Sequence, residues 1–268
     1  MIEYFDTHVH LGDSAFDADR EETLNRARSA GVIRIAEIAD APKEWPGALA
    51  LSRARPLQVS CALGLHPYYA DELSPDILSD LALKSRLPEV AAIGEIGLDY
   101  VKSSVPEKIQ IAAFTALLSM SLENEKPVVI HCRGAYADLR SVISRLCPKP
   151  PSRHRFWGVI HCFSGDAQDA AFLSGAGFAL GVDGPVTYPK NTALRQALHH
   201  AGIGCLVLET DSPYLPPQSA RGKRNDPSAI PEIANKTAEI FGLPLAEVAQ
   251  ITFKNGRDLY RDEIKRQR

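Results

Sequence analysis

The sequence has few of the features that would place it outside the ordinary globular proteins. Its five cysteines, Cys61, Cys132, Cys147, Cys162 and Cys205, form no CxxC pair. An odd number makes a poor disulfide framework and fits a reducing compartment, so all five are expected as free thiols. No apolar run approaches the length needed to cross a bilayer, and the opening MIEYFDTHVH has neither a cationic nor an apolar leader. The expectation is a cytoplasmic protein with no membrane association. Net charge is also small, at −3, which removes any global cationic field. A tight, sequence-blind duplex binder is thereby disfavoured, and contact with nucleic acid would have to come from a local basic patch or from metal ions. Repeats, linkers and low-complexity tracts are missing as well.

What is present suits one large domain spanning residues 1–268. The 268 residues, 45% hydrophobic and 24% charged, come close to the roughly 250 at which one (β/α)8 barrel closes. Short apolar runs alternate along the chain with longer segments of helical spacing, which predicts an α/β fold with a single (β/α)8 TIM barrel. Strands are expected at residues 4–8, 33–39, 58–63, 90–95, 128–131, 158–161, 178–182 and 205–209. The clearest helix is expected at 106–123, where Ile111, Phe114, Leu118 and Leu122 form a stripe behind a proline suited to a first turn. Loops are expected at 40–46 and 212–227, the second rich in proline and carrying the basic cluster Arg221, Lys223 and Arg224. Cys132 and Cys162 each follow a histidine at a strand end, so strand alternation predicts that both thiols face the helix layer.

Metal-capable residues gather at the strand ends. His8 and His10 stand two apart, where a period of two puts both imidazoles on one face. Glu95 ends VAAIGE, His131 ends PVVIH, His161 ends WGVIH, and Asp211 follows CLVLET. Active sites of this fold lie at the end of the barrel where these residues would sit. Four imidazoles and two carboxylates supply about enough ligands for two divalent ions with open positions left over. Nitrogen and oxygen donors without thiolate suit Zn, Mn, Ni or Fe, and admit Mg.

With these residues in place, the chain resembles the TatD family of metal-dependent hydrolases and deoxyribonucleases, within the amidohydrolase-like superfamily. DTHVHL, ALGLHPYYA, AIGEIGLDY, VVIHCRGAYADL, HCFSG, ETDSPYL, RGKRNDP and NGRDLY follow the order of that family's blocks over nearly the full length. The resemblance implies two metals, with Glu95 bridging them, His8, His10 and Asp211 on one, and His131 and His161 on the other. It also implies that His66 and Arg133 lie near the substrate. Two readings stand for each: His66 as a substrate contact or a hydrogen-bond partner of the site, Arg133 as a phosphate clamp or a surface residue. Departures from the family pattern are Gly12, which precedes Asp13, and Gly181 where serine is common. Both bear on substrate preference.

The expected function is metal-dependent hydrolysis, foremost of phosphodiester bonds in single-stranded or frayed DNA from an end. A water activated by the ions would attack, and Asp211 would take its proton. Arg221, Lys223 and Arg224, with Tyr68, Tyr69, Tyr100 and Tyr214, are candidates for a cationic and aromatic strand path, although the basic cluster reads equally as a solvated loop or an anchor to acids of the rim. A second reading keeps the metals but hydrolyses a carboxylic ester or amide, such as a mischarged aminoacyl-tRNA or a lactone. A third, a non-catalytic scaffold, has no physical need for so costly a polar cluster. A monomer without an obligate protein partner is expected.

Overall fold

Apolar, β-branched runs separated by amphipathic segments produce eight strands and the helices between them. The computed structural model describes residues 2–261. The strands are β1 (Tyr4–Val9), β2 (Val32–Ala39), β3 (Val59–Leu63), β4 (Val90–Asp99), β5 (Val128–Arg133), β6 (Gly158–Ile160), β7 (Phe178–Val182) and β8 (Leu206–Leu208). The helices are α1 (Arg20–Ser29), α2 (Trp45–Ala54), α3 (Pro75–Lys84), α4 (Glu107–Glu123), α5 (Tyr136–Leu146), α6 (Ala167–Gly175), α7 (Thr192–Ala201), α8 (Ile230–Phe241) and α9 (Leu245–Tyr260). All pairings between neighbouring strands are parallel, in the order β1 to β8. Bonds just past the strand ends bring β8 back to β1: Asp211 N–H donates to His8 O at 2.9 Å and His10 N–H to Ser212 O at 2.8 Å. The result is the expected (β/α)8 barrel, and no described helix is long and apolar enough to cross a membrane.

Alternation divides the core into two layers. Phe5, Ala36, Ile38, Ala62, Ala92, Val129, Val159, Ala179 and Val207 fill the interior, where α9 plugs the bottom with Leu259 and Tyr260. The Tyr260 hydroxyl donates to Thr7 O at 2.6 Å, fixing that plug. Their neighbours in sequence, such as Ile35, Leu63, Ile93, Ile130 and Leu206, face the helices. A buried methylene contributes roughly 0.8 kcal/mol, so this double layer supplies most of the drive to fold.

Register shifts interrupt the simple period at several places, two of them beside the site. These two fall between Asp6 and Val9 in β1 and between Ile93 and Ile96 in β4. In β4, Ile93 and Ile96 both face the helices, so the shift turns Glu95 inward where strict alternation would have turned it out. Residues 97 and 99 then follow Glu95 on the inner side. Position 97 requires glycine: its φ is +143°, and a Cβ there would stand 2.0 Å from His131 O.

Some boundaries differ from expectation. The loop at 40–46 is shortened because Trp45 and Pro46 open α2, with Trp45 buried and its indole N–H donating to Gly64 O at 3.0 Å. Strands β6 and β8 stop before His161 and Glu209, whereas β4 continues to Asp99. Cys132 packs in the layer between strands and helices as alternation predicts. Cys162 does not: β6 has already ended, its φ of +46° turns the chain, and its thiol donates to Asp183 Oδ2 at 2.8 Å on the wall of the central cleft.

Candidate metal centre

Toward the C-terminal end of the staves, alternation and the register shifts of β1 and β4 together turn polar side chains inward on strand after strand. These positions hold His8 and His10, Asp40, His66, Glu95 and Asp99, His131, His161, Asp183, and Glu209 with Asp211. His10, Asp40, His66, Glu95, His131, His161 and Asp211 line a cleft of about 910 Å³ at the C-terminal end of the barrel, and His8, Asp99, Asp183 and Glu209 are buried beneath it.

Glu95 is the hub. Its Oε1 lies 2.7 Å from His131 Nδ1 and 2.9 Å from His161 Nε2, and its Oε2 lies 3.4 Å from His8 Nε2. A second group forms beside it, with His8 Nε2 and His10 Nε2 3.2 Å apart and Asp211 Oδ1 at 3.6 and 3.3 Å from them. Tetrahedral metal–nitrogen bonds of about 2.0–2.1 Å require ligand atoms roughly 3.3 Å apart. The second group has that spacing. In the first, His161 Nε2 and His131 Nδ1 are 3.4 Å apart with Glu95 Oε1 between them. Imidazole nitrogens facing one another across a buried floor have little to offer each other, so the donor set fits metal ions.

Electrostatics support the same reading. Burial opposes charge on Glu95, but His161 and hydrogen bonds from His131, His161 and His8 hold it well below the usual carboxylate range. Burial likewise opposes a charged His10, yet Asp40, Asp211 and Glu95 raise it to about 10. His161 is also raised, by Glu95 and Glu209 against burial. These imidazoles hold protons that a metal would displace, which couples metal affinity to pH. His66 differs: burial pushes it down to about 3. Its Nδ1 accepts from the Tyr68 N–H at 3.2 Å, so the neutral ring carries its proton on Nε2, 3.7 Å from Glu95 Oε1.

Behind the imidazoles stand carboxylates that residue-by-residue reading of the sequence missed. Asp99 Oδ2 is 3.1 Å from His131 Nε2, Glu209 Oε1 is 3.6 Å from His161 Nδ1, and Asp40 Oδ2 is 3.8 Å from His10 Nδ1. Such partners orient metal-binding imidazoles. Their signal in the sequence was parity, since Asp99 is four residues beyond Glu95 and Glu209 two before Asp211. Gly181 is explained by one of them: a Cβ there would meet the Glu209 carboxylate at 2.4 Å. Glu37 has another task, accepting the backbone N–H groups of Leu11 and Gly12 at 2.6 and 2.8 Å and so fixing the turn after His10.

The cations divide. Arg133, Lys43 and Lys102 line the cleft with Tyr68, Tyr69 and Tyr214. Arg221, Lys223 and Arg224 do not line it. Arg224 pairs with both oxygens of Asp19 at 2.7 Å and lies 4.6 Å from the Phe16 ring centroid, while Arg221 covers the Tyr188 ring at 4.4 Å. Tyr100 is also outside the lining, its hydroxyl donating to Asp138 at 2.8 Å.

Residues 5–261 match the family described as TatD related DNase. The chain belongs to the TatD family. Its relatives include the 3'-5' ssDNA/RNA exonuclease TatD of Pantoea vagans, 34% identical over 262 residues that cover 96% of this chain and 99% of that protein. The uncharacterized metal-dependent hydrolase YabD of Bacillus subtilis is 32% identical over 263 residues, covering 96% and 98% respectively. Among solved structures, the TatD homolog YJJV of Escherichia coli superposes with a TM-score of 0.89 at 30% identity, over 97% of this chain and 99% of that one. This TatD chain is therefore a metal-dependent hydrolase of that type, and its cleft brings together clusters of His, Glu and Asp that could hold a metal ion.

Proposed function

We propose that this chain is a two-metal exonuclease that hydrolyses phosphodiester bonds of single-stranded or frayed DNA. The observation that carries this reading is the pair of donor groups joined by Glu95 on the floor of an open, cation-lined cleft. His8, His10 and Asp211 would hold one divalent ion, His131 and His161 the other, with Glu95 bridging. The donor chemistry suits Zn, Mn, Ni or Fe and admits Mg. When bound, the ions acidify water and neutralise charge that develops on the phosphoryl oxygens.

The remaining chemistry belongs to the protein's own groups. Asp211 takes the proton of the attacking water and returns it to the leaving oxygen. Arg133 clamps a phosphate oxygen with its planar guanidinium, and neutral His66 donates from Nε2 toward the same phosphate. Tyr68 and Tyr214, 40% and 51% exposed at the cleft, offer faces on which bases stack. Lys43, whose Nζ lies 5.2 Å from the Tyr69 ring centroid, and Lys102 extend the cationic side. Names of the relatives support a single-stranded nucleic acid as substrate. The reading carries with it a cytoplasmic monomer acting without an obligate protein partner.

Its test is an end-labelled single-stranded DNA oligomer incubated with protein and Mg, Mn or Zn, beside Asp211→Asn. A metal-dependent ladder, lost in the variant, is the expected result. A wild-type protein that binds two ions yet yields no ladder with any metal would refute the nuclease and redirect the search to carboxylic esters and amides.

A further inference from the structure

Asp99 stands behind His131 and also reaches the substrate wall at Arg133. It is fully buried, and its two carboxylate oxygens do different things. Oδ1 accepts the backbone N–H groups of Val101 and Lys102 at 2.9 and 2.8 Å, closing the turn after β4. Oδ2 faces three side chains: His131 Nε2 at 3.1 Å, the Tyr68 hydroxyl at 3.3 Å and Arg133 Nη1 at 3.7 Å. Gln110, buried in α4, clamps the backbone on both sides, accepting from Asp99 N–H at 2.8 Å and donating to Asp99 O at 3.0 Å. The carboxylate is therefore fixed by its backbone and by one oxygen, which leaves the other as a rigid acceptor.

We infer that Asp99 is a positioning residue whose Oδ2 both sets the tautomer of His131 and aligns Arg133 and Tyr68, so that one carboxylate couples a metal ligand to the substrate wall. His131 reaches Glu95 through Nδ1 at 2.7 Å. Metal binding at Nδ1 requires its lone pair, and a neutral ring then carries its hydrogen on Nε2, where Asp99 accepts it. Arg133 and Tyr68 approach the same oxygen from β5 and from the turn after β3. They are two of the cleft's substrate-facing groups, and Asp99 restrains both. The inference rests on the two-ion reading of the site but does not depend on nucleic acid being the substrate.

Asp99→Asn separates this role from that of a loop cap. The two backbone N–H groups at Oδ1 select the amide oxygen, so the turn keeps its bonds and the amide NH2 replaces Oδ2. That group donates to His131 Nε2, driving the ring's hydrogen onto Nδ1, where it blocks metal. Titration with Mn2+, counting bound ions, should show wild type taking two and Asp99→Asn keeping one tightly while affinity for the other falls about 10- to 100-fold. A role confined to the turn would leave both affinities unchanged, and that result would overturn the inference. A second readout needs no variant of Asp99: 15N NMR of Zn-loaded wild type, assigned with a His131 substitution, should show His131 protonated at Nε2. The opposite tautomer would overturn the inference even if the variant failed to fold. Wild type binding fewer than two ions would overturn the two-ion reading and this inference together, a result seen before any variant is made.

Discussion

The floor of the cleft and its basic rim obey different rules. On the floor, side chains lie in strands or within three residues of a strand's end, where the backbone ladder holds them close to one another. On the rim, Arg221, Lys223 and Arg224 share a short stretch of sequence but not a common task. Arg224 is taken up by Asp19, and Arg221 by the ring of Tyr188. The cations that do line the cleft, Lys43, Lys102 and Arg133, come from three separate segments. Clustering in sequence is thus a poor guide to a binding surface on loops, whereas repeated placement at strand ends is a good one.

The largest expected effect sharpens the floor. Asp211→Asn should retain the fold and lower kcat by about 10²–10⁴, the usual worth of a positioned proton acceptor. Near-wild-type kcat would remove Asp211 from proton transfer. Next comes the effect of metal on stability. Raised imidazoles such as His10, at about 10 against an ordinary 6.5, contribute stability that is complete below 6.5 and lost as pH rises through the raised value. Asp183 acts in the same direction: burial and Glu209 raise it from 3.8 to about 8, so its contribution fades as pH climbs through that window. Chelated protein should therefore lose stability from about pH 6 toward pH 9, while metal, which needs deprotonated ligands, stabilises more as pH rises. Melting curves with and without metal should diverge across that range, and a constant gap would contradict the proton displacement argued here.

The rim supplies two smaller effects. Arg133→Ala should raise KM for single-stranded DNA about tenfold with little change in kcat, as expected for loss of one charge-assisted contact made equally in ground and transition states. Arg224→Ala should lower the melting temperature while KM stays within about twofold, since it gives up a partly exposed ion pair away from the cleft. If the two outcomes were reversed, with Arg224 governing KM, the division between the rim and the cleft wall would be wrong.

Much of the barrel was legible because apolar runs and their spacing reflect the parallel ladder directly. The staves at 178–182 and near 33–39 and 128–131 needed little beyond that pattern. The convergence of the six metal-capable residues was legible for the same reason. Strict parity was less reliable. Glu95 faces inward only because β4 shifts register between Ile93 and Ile96, and Cys162 reaches the cleft because β6 ends two residues earlier. Neither follows from a two-residue period, because each depends on pairing with a neighbouring strand. Asp99, Glu209 and Asp40 could have been found by following each inward series through the strand end, since Asp99 lies four residues beyond Glu95, Glu209 two beyond the inward Val207 and Asp40 two beyond the inward Ile38. The destination of Arg224 could not, since Asp19 lies 205 residues away in sequence.

The most direct test of the account is to load the wild-type protein with Mn2+ to saturation, count the ions per chain and record the electron paramagnetic resonance spectrum. Donor groups that share Glu95 predict two ions and the signature of an exchange-coupled pair. One ion per chain, or two with the spectrum of isolated centres, would contradict the shared site on which the hydrolytic reading stands.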